Sequence, residues 1–90
     1  MEITYDPKKR LETLAERKLD FENARVVFAG TTYDFQDRRK DYGEARTITI
    51  GRINRRMMVV VWTQRGNARH IISMRKANDG EKAKFAHQLG

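Results

Sequence analysis

No cysteine occurs among these 90 residues, which excludes disulfides and thiolate metal sites. The two histidines, His70 and His87, are too few for a zinc site without carboxylates. Carboxylates are scarce where they would matter, since Asp41 and Glu44 are the only two between Arg38 and Lys76. A metal-assisted nuclease draws on clustered carboxylates to hold its cation. The sequence therefore points to chemistry without a metal, and no other cofactor is implied. There is no glycine-rich phosphate loop, no zinc-ligand pair at helical spacing and no serine nucleophile elbow. The longest wholly apolar run, Met57 to Trp62, is far short of a membrane span. The opening residues MEITYD show no basic-then-apolar leader. A cytoplasmic protein in a reducing compartment, with no membrane association, is the expectation. The length suits a single domain, residues 1–90, with a modest core that needs no staples.

What the chain has is positive charge in one place. Residues 38–76 hold eleven lysines and arginines against two acids, a net +9. Residues 1–37 carry −2 and residues 77–90 carry 0, so the whole net charge of +7 resides in that one segment. The segment is also the most strand-like part of the chain. A basic sheet attracts a polyanion, because neutralising phosphates releases counterions and the field steers encounter.

The pattern of elements reads as follows. Glu2 to Tyr5 suits a short edge strand. Asp6-Pro7, the only proline, starts a helix: the carboxylate accepts from free first-turn amides, and proline there loses no needed donor. Leu11, Leu14, Ala15 and Leu19 recur at helical spacing and form its expected packing face. Asp20 starts a second helix with the stripe Phe21, Ala24, Val27 and Phe28, which Gly30 ends. Thr31 to Gly43 reads as a polar connection of thirteen residues, with Tyr33 and Phe35 as anchors. From Ala45 the period changes to two, with Ile48 and Ile50 alternating with Thr47 and Thr49. Asn54-Arg55 suits a tight turn. Met57 to Trp62, apolar on both faces, suits a central strand. Arg65-Gly66-Asn67 is the next turn, and Ala68 to Met74 the last strand of an antiparallel meander. Asn78 and Glu81 have the spacing of a capping box opening a final helix with Phe85 and Leu89 on its apolar side. The order β-α-α-β-β-β-α predicts an α+β fold, an antiparallel sheet with helices packed on one face.

RNA can be cut without a metal, because its own 2′-hydroxyl attacks the adjacent phosphate once aligned. The protein then supplies cations for the phosphorane charge, a base, and an acid for the leaving oxygen. Arg46, Arg52, Arg69 and Arg75 suit the first task, since a guanidinium matches phosphate oxygens bidentately. Arg52, Arg55, Arg56, Arg65, Arg69 and Lys76 extend the basic surface as RNA-binding candidates. His70 is the internal side chain that titrates near neutrality. Each has a plainer reading, as a solvated or ion-paired strand arginine or a structural histidine. Trp62 could stack on a base, but within its apolar run it reads as core. Strict alternation would place His70 with Ile72 and Met74, and Arg69, Ile71, Ser73 and Arg75 on the other face. His70 is then structural if helices cover the Ile72 face, whereas a bulge or strand end would bring it toward Arg46.

The segments Asp6, Pro7 and Lys9, DFENARVVF (Asp20 to Phe28), YGEAR (Tyr42 to Arg46), IGR (Ile50 to Arg52), VVVWTQRG (Val59 to Gly66) and HIISMRKA (His70 to Ala77) together resemble the BrnT toxins. These are RelE-like toxins of bacterial type II toxin–antitoxin systems. The resemblance spans nearly the whole chain. It implies a RelE-like fold and a ribonuclease that inhibits translation when free. It also implies a BrnA-type antitoxin that wraps the toxin into a hetero-oligomer and binds operator DNA through its own domain. By position Lys9, Glu44, Arg46, Arg75 and Glu81 match charged residues of the family pattern. Lys9 and Glu44 thereby join Arg46, Arg75 and His70 as catalytic candidates, while Glu81 is equally explained as a helix cap. Thr13 stands where the pattern often has Asn, Arg17-Lys18 where His-Gly is common, and His70 where many members have Arg. A toxin that acts on a protein such as gyrase, and a non-catalytic nucleic-acid-binding module, are the alternatives. The first shares the broad fold; the second needs exposed aromatics, for which Tyr33, Phe35, Tyr42 and Trp62 are the available residues.

Overall fold

The computed structural model describes residues 1–90. Five strands form one sheet in the order β1-β5-β4-β3-β2: β1 Glu2–Tyr5, β2 Tyr33–Gln36, β3 Thr47–Ile53, β4 Arg56–Arg65 and β5 Ala68–Lys76. Three helices accompany it: α1 Pro7–Arg17, α2 Ala24–Ala29 and α3 Asp79–Leu89. A short 3-10 turn, Phe21–Asn23, leads into α2. β2 to β5 are antiparallel neighbours, and β1 pairs in parallel with β5. The result is α+β with a mixed sheet, where a purely antiparallel one was expected. A fifth strand, β2, lies inside the expected polar connection. Tyr33 and Phe35 are what hold it, since both turn inward and pack with the aromatic ring of Phe85.

The local signals behave as their chemistry requires. Asp6 accepts from the Lys8 amide at 2.9 Å, with Pro7 opening α1. Asn54 and Arg55 take φ of 50° and 69°, the left-handed pair that a two-residue hairpin demands. Asn78 and Glu81 close a reciprocal capping box, with bonds of 2.8 Å and 2.9 Å.

The helices cover both faces of the sheet, not one. On one face the α1–α2 segment buries Leu19, Phe21, Ala24 and Val27 against Ile3, Met58, Val60, Trp62, Ile71 and Met74. On the other, Phe85 and Leu89 of α3 cover Ile48, Ile50, Met57, Val59 and Val61. The cause is β4 itself. A strand that is apolar on both sides leaves one hydrophobic surface wet unless both are roofed. On the first face α2 comes close to β3. A methyl group built on Gly51 would sit 2.6 Å from Val27 Cγ1, so glycine is required for the approach. Trp62 is core, as expected, and its indole N–H donates to the Thr49 hydroxyl at 2.8 Å in the same layer.

α1 departs most from expectation. Its apolar face was predicted to pack, yet the helix has no buried residue, and Leu11 and Leu14 are 63% and 39% exposed. The helix docks instead through polar side chains. Arg10 grips Asp20 with two bonds of 2.8 Å and 2.9 Å, and Arg17 donates to the Met74 carbonyl at 3.0 Å.

Candidate functional site

α3 covers only part of its sheet face, and the uncovered remainder carries the polar side chains. A bulge determines which ones. The β4–β5 ladder steps between Val61, which faces Ser73, and Trp62, which faces Ile71, so Ile72 has no partner. One unpaired residue reverses the alternation for everything beyond it. His70 therefore lies opposite Thr63 on the α3 face, together with Ser73 and Arg75, while Arg69, Ile71 and Met74 lie on the other. Strict alternation had separated His70 from Arg75; the bulge puts them on one surface.

At the open end of that face a charged group assembles. Glu44 lies 3.7 Å from both Arg46 and Arg65. Those separations allow ion pairing but exceed hydrogen-bond length. Accordingly Arg46 Nε is a buried donor with no acceptor, although it is within ion-pair range of Glu44. The Arg46 guanidinium lies 3.9 Å from the ring centroid of Tyr42, which fixes its plane. Thr63 Oγ1 donates to the Ala45 carbonyl at 2.7 Å, tying this loop to β4. His70 Nδ1 is 2.9 Å from Thr4 Oγ1, its neighbour on the parallel strand β1. Burial, seconded by the positive charge of Arg65, holds His70 below its ordinary value of 6.5, with Lys9 adding to the effect and Glu44 and Asp6 opposing it. His70 is thus neutral at pH 7, and Lys9 at the start of α1 is near enough for its charge to be felt.

A second group stands farther along the sheet. Arg75 makes two bonds of 2.7 Å to Glu81, the residue that also caps α3. Arg39 makes bonds of 2.9 Å and 2.7 Å to Asp37, whose side chain is wholly buried. Each carboxylate is pulled down to about 2, first by its arginine. Arg39 and Arg75 are close enough for their charges to oppose each other. Beside them is a cleft of about 320 Å³, lined by Phe35, Ile48, Ile50, Val59 and Phe85. His70 faces Thr63 and Arg75 faces Val59, four β4 positions apart, or roughly 13 Å along the strand. One phosphate cannot engage both.

Of the residues singled out in the sequence, Glu44, Arg46, Arg65 and His70 share this end of the α3 face, Lys9 acts on His70 only through its charge, and Arg75 stands apart with Arg39. The remainder lie elsewhere. Arg69 sits between the rings of Phe28 and Trp62, 4.5 Å and 4.4 Å from their centroids, on the α1–α2 face. Arg56 and Lys76 line a cleft on that same face. Arg55 is in the hairpin turn, and Arg52 reaches the Leu89 carbonyl at 3.5 Å. Sequence reasoning missed Thr4, Asp37, Arg39 and Thr63. Asp37 had a usable signal, since a single acid followed at i+2 by an arginine can fold back on its own loop. No group of three His, Asp or Glu side chains converges in the structure.

A family described as the ribonuclease toxin, BrnT, of type II toxin–antitoxin system matches residues 5–81 of the chain. No curated protein matches it.

Proposed function

Since the chain belongs to the BrnT family of ribonuclease toxins from type II toxin–antitoxin systems, we propose that it is an endoribonuclease that works without a metal and cuts RNA through the RNA's own 2′-hydroxyl. The observation that carries this reading is the placement, on one open sheet face, of His70 with two loosely held guanidiniums. In the tautomer whose Nδ1–H donates to Thr4 Oγ1, His70 presents the lone pair of Nε2. That nitrogen takes the 2′-hydroxyl proton as O2′ bonds to phosphorus. Arg46 and Arg65, neither held to Glu44 by a hydrogen bond, stabilise the charge that gathers on the phosphorane oxygens. The bond from phosphorus to O5′ then breaks, and the leaving oxygen takes a proton from Lys9. The products are a 2′,3′-cyclic phosphate and a 5′-hydroxyl end.

Glu44 holds the two arginines without saturating either one. Arg75 and Arg39 receive a neighbouring phosphate, and the apolar cleft beside them takes the adjoining nucleotide. Cutting messenger RNA in the cytoplasm would stop translation, and a BrnA-type antitoxin that carries its own DNA-binding part would form the inactive hetero-oligomer. A RelE-like assignment for the single domain of residues 1–90 is supported by the β-α-α unit laid against an antiparallel meander.

The test is cleavage of an RNA oligonucleotide in EDTA, beside the same oligonucleotide with a 2′-deoxyribose at the cut position. Cleavage of the first to a cyclic phosphate end, with the second resistant, is the expected result. Cutting of the deoxy substrate, or a need for added magnesium, would contradict the mechanism.

A further inference from the structure

α1 leaves its leucines at the surface. Leu11 is 63% and Leu14 39% exposed, while Arg10 and Arg17, one turn to either side of Leu14, make the contacts that hold the helix. Leu11 and Leu14, three residues apart, share one flank of the helix, and Lys18 stands at the C-terminal end of that helix. Lys18 ends α1 in the left-handed conformation, φ 60°, with its amide bonded to the Leu14 carbonyl at 3.1 Å. It also lines a cleft of about 500 Å³ on the α1–α2 face of the sheet. The rim adds Arg56 and Lys76, and the floor is closed by Ile53, Met58 and Met74. No carboxylate and no aromatic ring lines this cleft.

We propose that the Leu11–Leu14 stripe and the Lys18–Arg56–Lys76 cleft are one continuous seat for the antitoxin, filled by an amphipathic segment with apolar residues along α1 and acidic residues at the cleft. The occupant follows from the chemistry. An exposed apolar stripe on a small protein marks a protein surface, and leucines contribute nothing to phosphate binding. Single-stranded RNA would call for stacking platforms, which are missing here. A second copy of this chain would bring more positive charge, with +7 net already present, against a cleft whose charged lining residues are all cations. An acidic partner satisfies both halves of the surface. The inference takes from the family only that an antitoxin exists. It places that antitoxin's hold on the face opposite His70 and Arg46, so binding and plugging of the site are separable.

The test uses the full chain and its cognate antitoxin, with no RNA present, so an error about the ribonuclease mechanism does not affect it. The double variant Leu11→Ser with Leu14→Ser removes exposed groups only. Lys18→Gly removes the cation at a backbone position that favours glycine, so the fold is kept. The dissociation rate should rise on the order of tenfold or more for the double variant. The association rate at low salt should fall for Lys18→Gly. RNA cleavage by the isolated variants should match the parent. Unchanged association and dissociation rates would overturn the seat. So would variants that bind antitoxin normally but have lost RNA affinity, because the surface would then be an RNA track.

Discussion

Arg46 carries a buried donor without an acceptor on the α3 face. Its guanidinium is fixed over Tyr42, its Nε has no acceptor, and Glu44 is held at 3.7 Å. If it meets the phosphorane, Arg46→Ala should slow cleavage by on the order of a hundredfold or more with the fold intact by circular dichroism. Arg46→Lys should also fail largely, because a point charge reproduces neither the fork nor the stacking on Tyr42. Parent-like rates in both variants would remove Arg46 from the chemistry. Arg75 predicts a milder outcome. It is bound by Glu81 and sits roughly 13 Å along the sheet from His70. Arg75→Ala should therefore raise KM more than it lowers kcat, a split that steady-state kinetics would read. Residue types were the legible part of this site. Arginines, one histidine and only two carboxylates in a basic segment pointed to phosphate chemistry. Their division into two groups and two faces was not legible, because it depends on one unpaired residue, Ile72, that composition does not mark.

At the scale of elements, close approach and capping set the tolerance to change. Gly51→Ala would drive a methyl group into Val27, a stiff and fully buried side chain of α2. A loss of about 1–3 kcal/mol is expected by urea unfolding. An unchanged midpoint would show that α2 can shift away freely. α3 depends on Glu81, which serves its N-terminus and Arg75 together. Its carboxylate lies near 2 in the folded chain against an ordinary 4.5. The unfolded chain therefore binds the proton more readily. The stability it confers is complete above 4.5 and is lost as pH falls toward 2. Asp37, lowered to about 2 from 3.8, acts in the same sense. The stability gap between the parent and Glu81→Gln, read by urea unfolding, should be full above pH 4.5 and shrink as pH falls toward 2. A gap that stays constant over that range would argue against the linkage. Sequence reading recovered caps and turns well, since Asp6, Asn54 and Asn78 act through bonds to their own neighbours. It missed β2 and the second helical layer, which depend on partners far along the chain. The two-sided apolar pattern of β4 already required cover on both faces. The open leucines of α1 ran against their periodicity, because in this chain that periodicity serves an outside surface.

For the whole molecule, charge lies on both sheet faces, and the two sides should respond to different partners. The α3 face has its loosely held cations at Arg46 and Arg65, with Lys40 at the Tyr42 ring. Three to four phosphate contacts would give a slope of roughly −2 to −3 in log affinity against log salt for single-stranded RNA. A nearly flat dependence, measured by fluorescence anisotropy, would mean that this face does not track a phosphate backbone. The most direct test of the account is the cleavage rate as a function of pH for the parent and for His70→Gln. His70 is held below 6.5 by burial and by Arg65, so it stays a competent base through neutrality and loses that role only on further acidification. The account predicts a parent profile with an acid limb below 6.5, and a variant slowed by about 10²–10⁴ that lacks this limb. A folded His70→Gln variant that cuts at the parent rate, with the same acid limb, would contradict it.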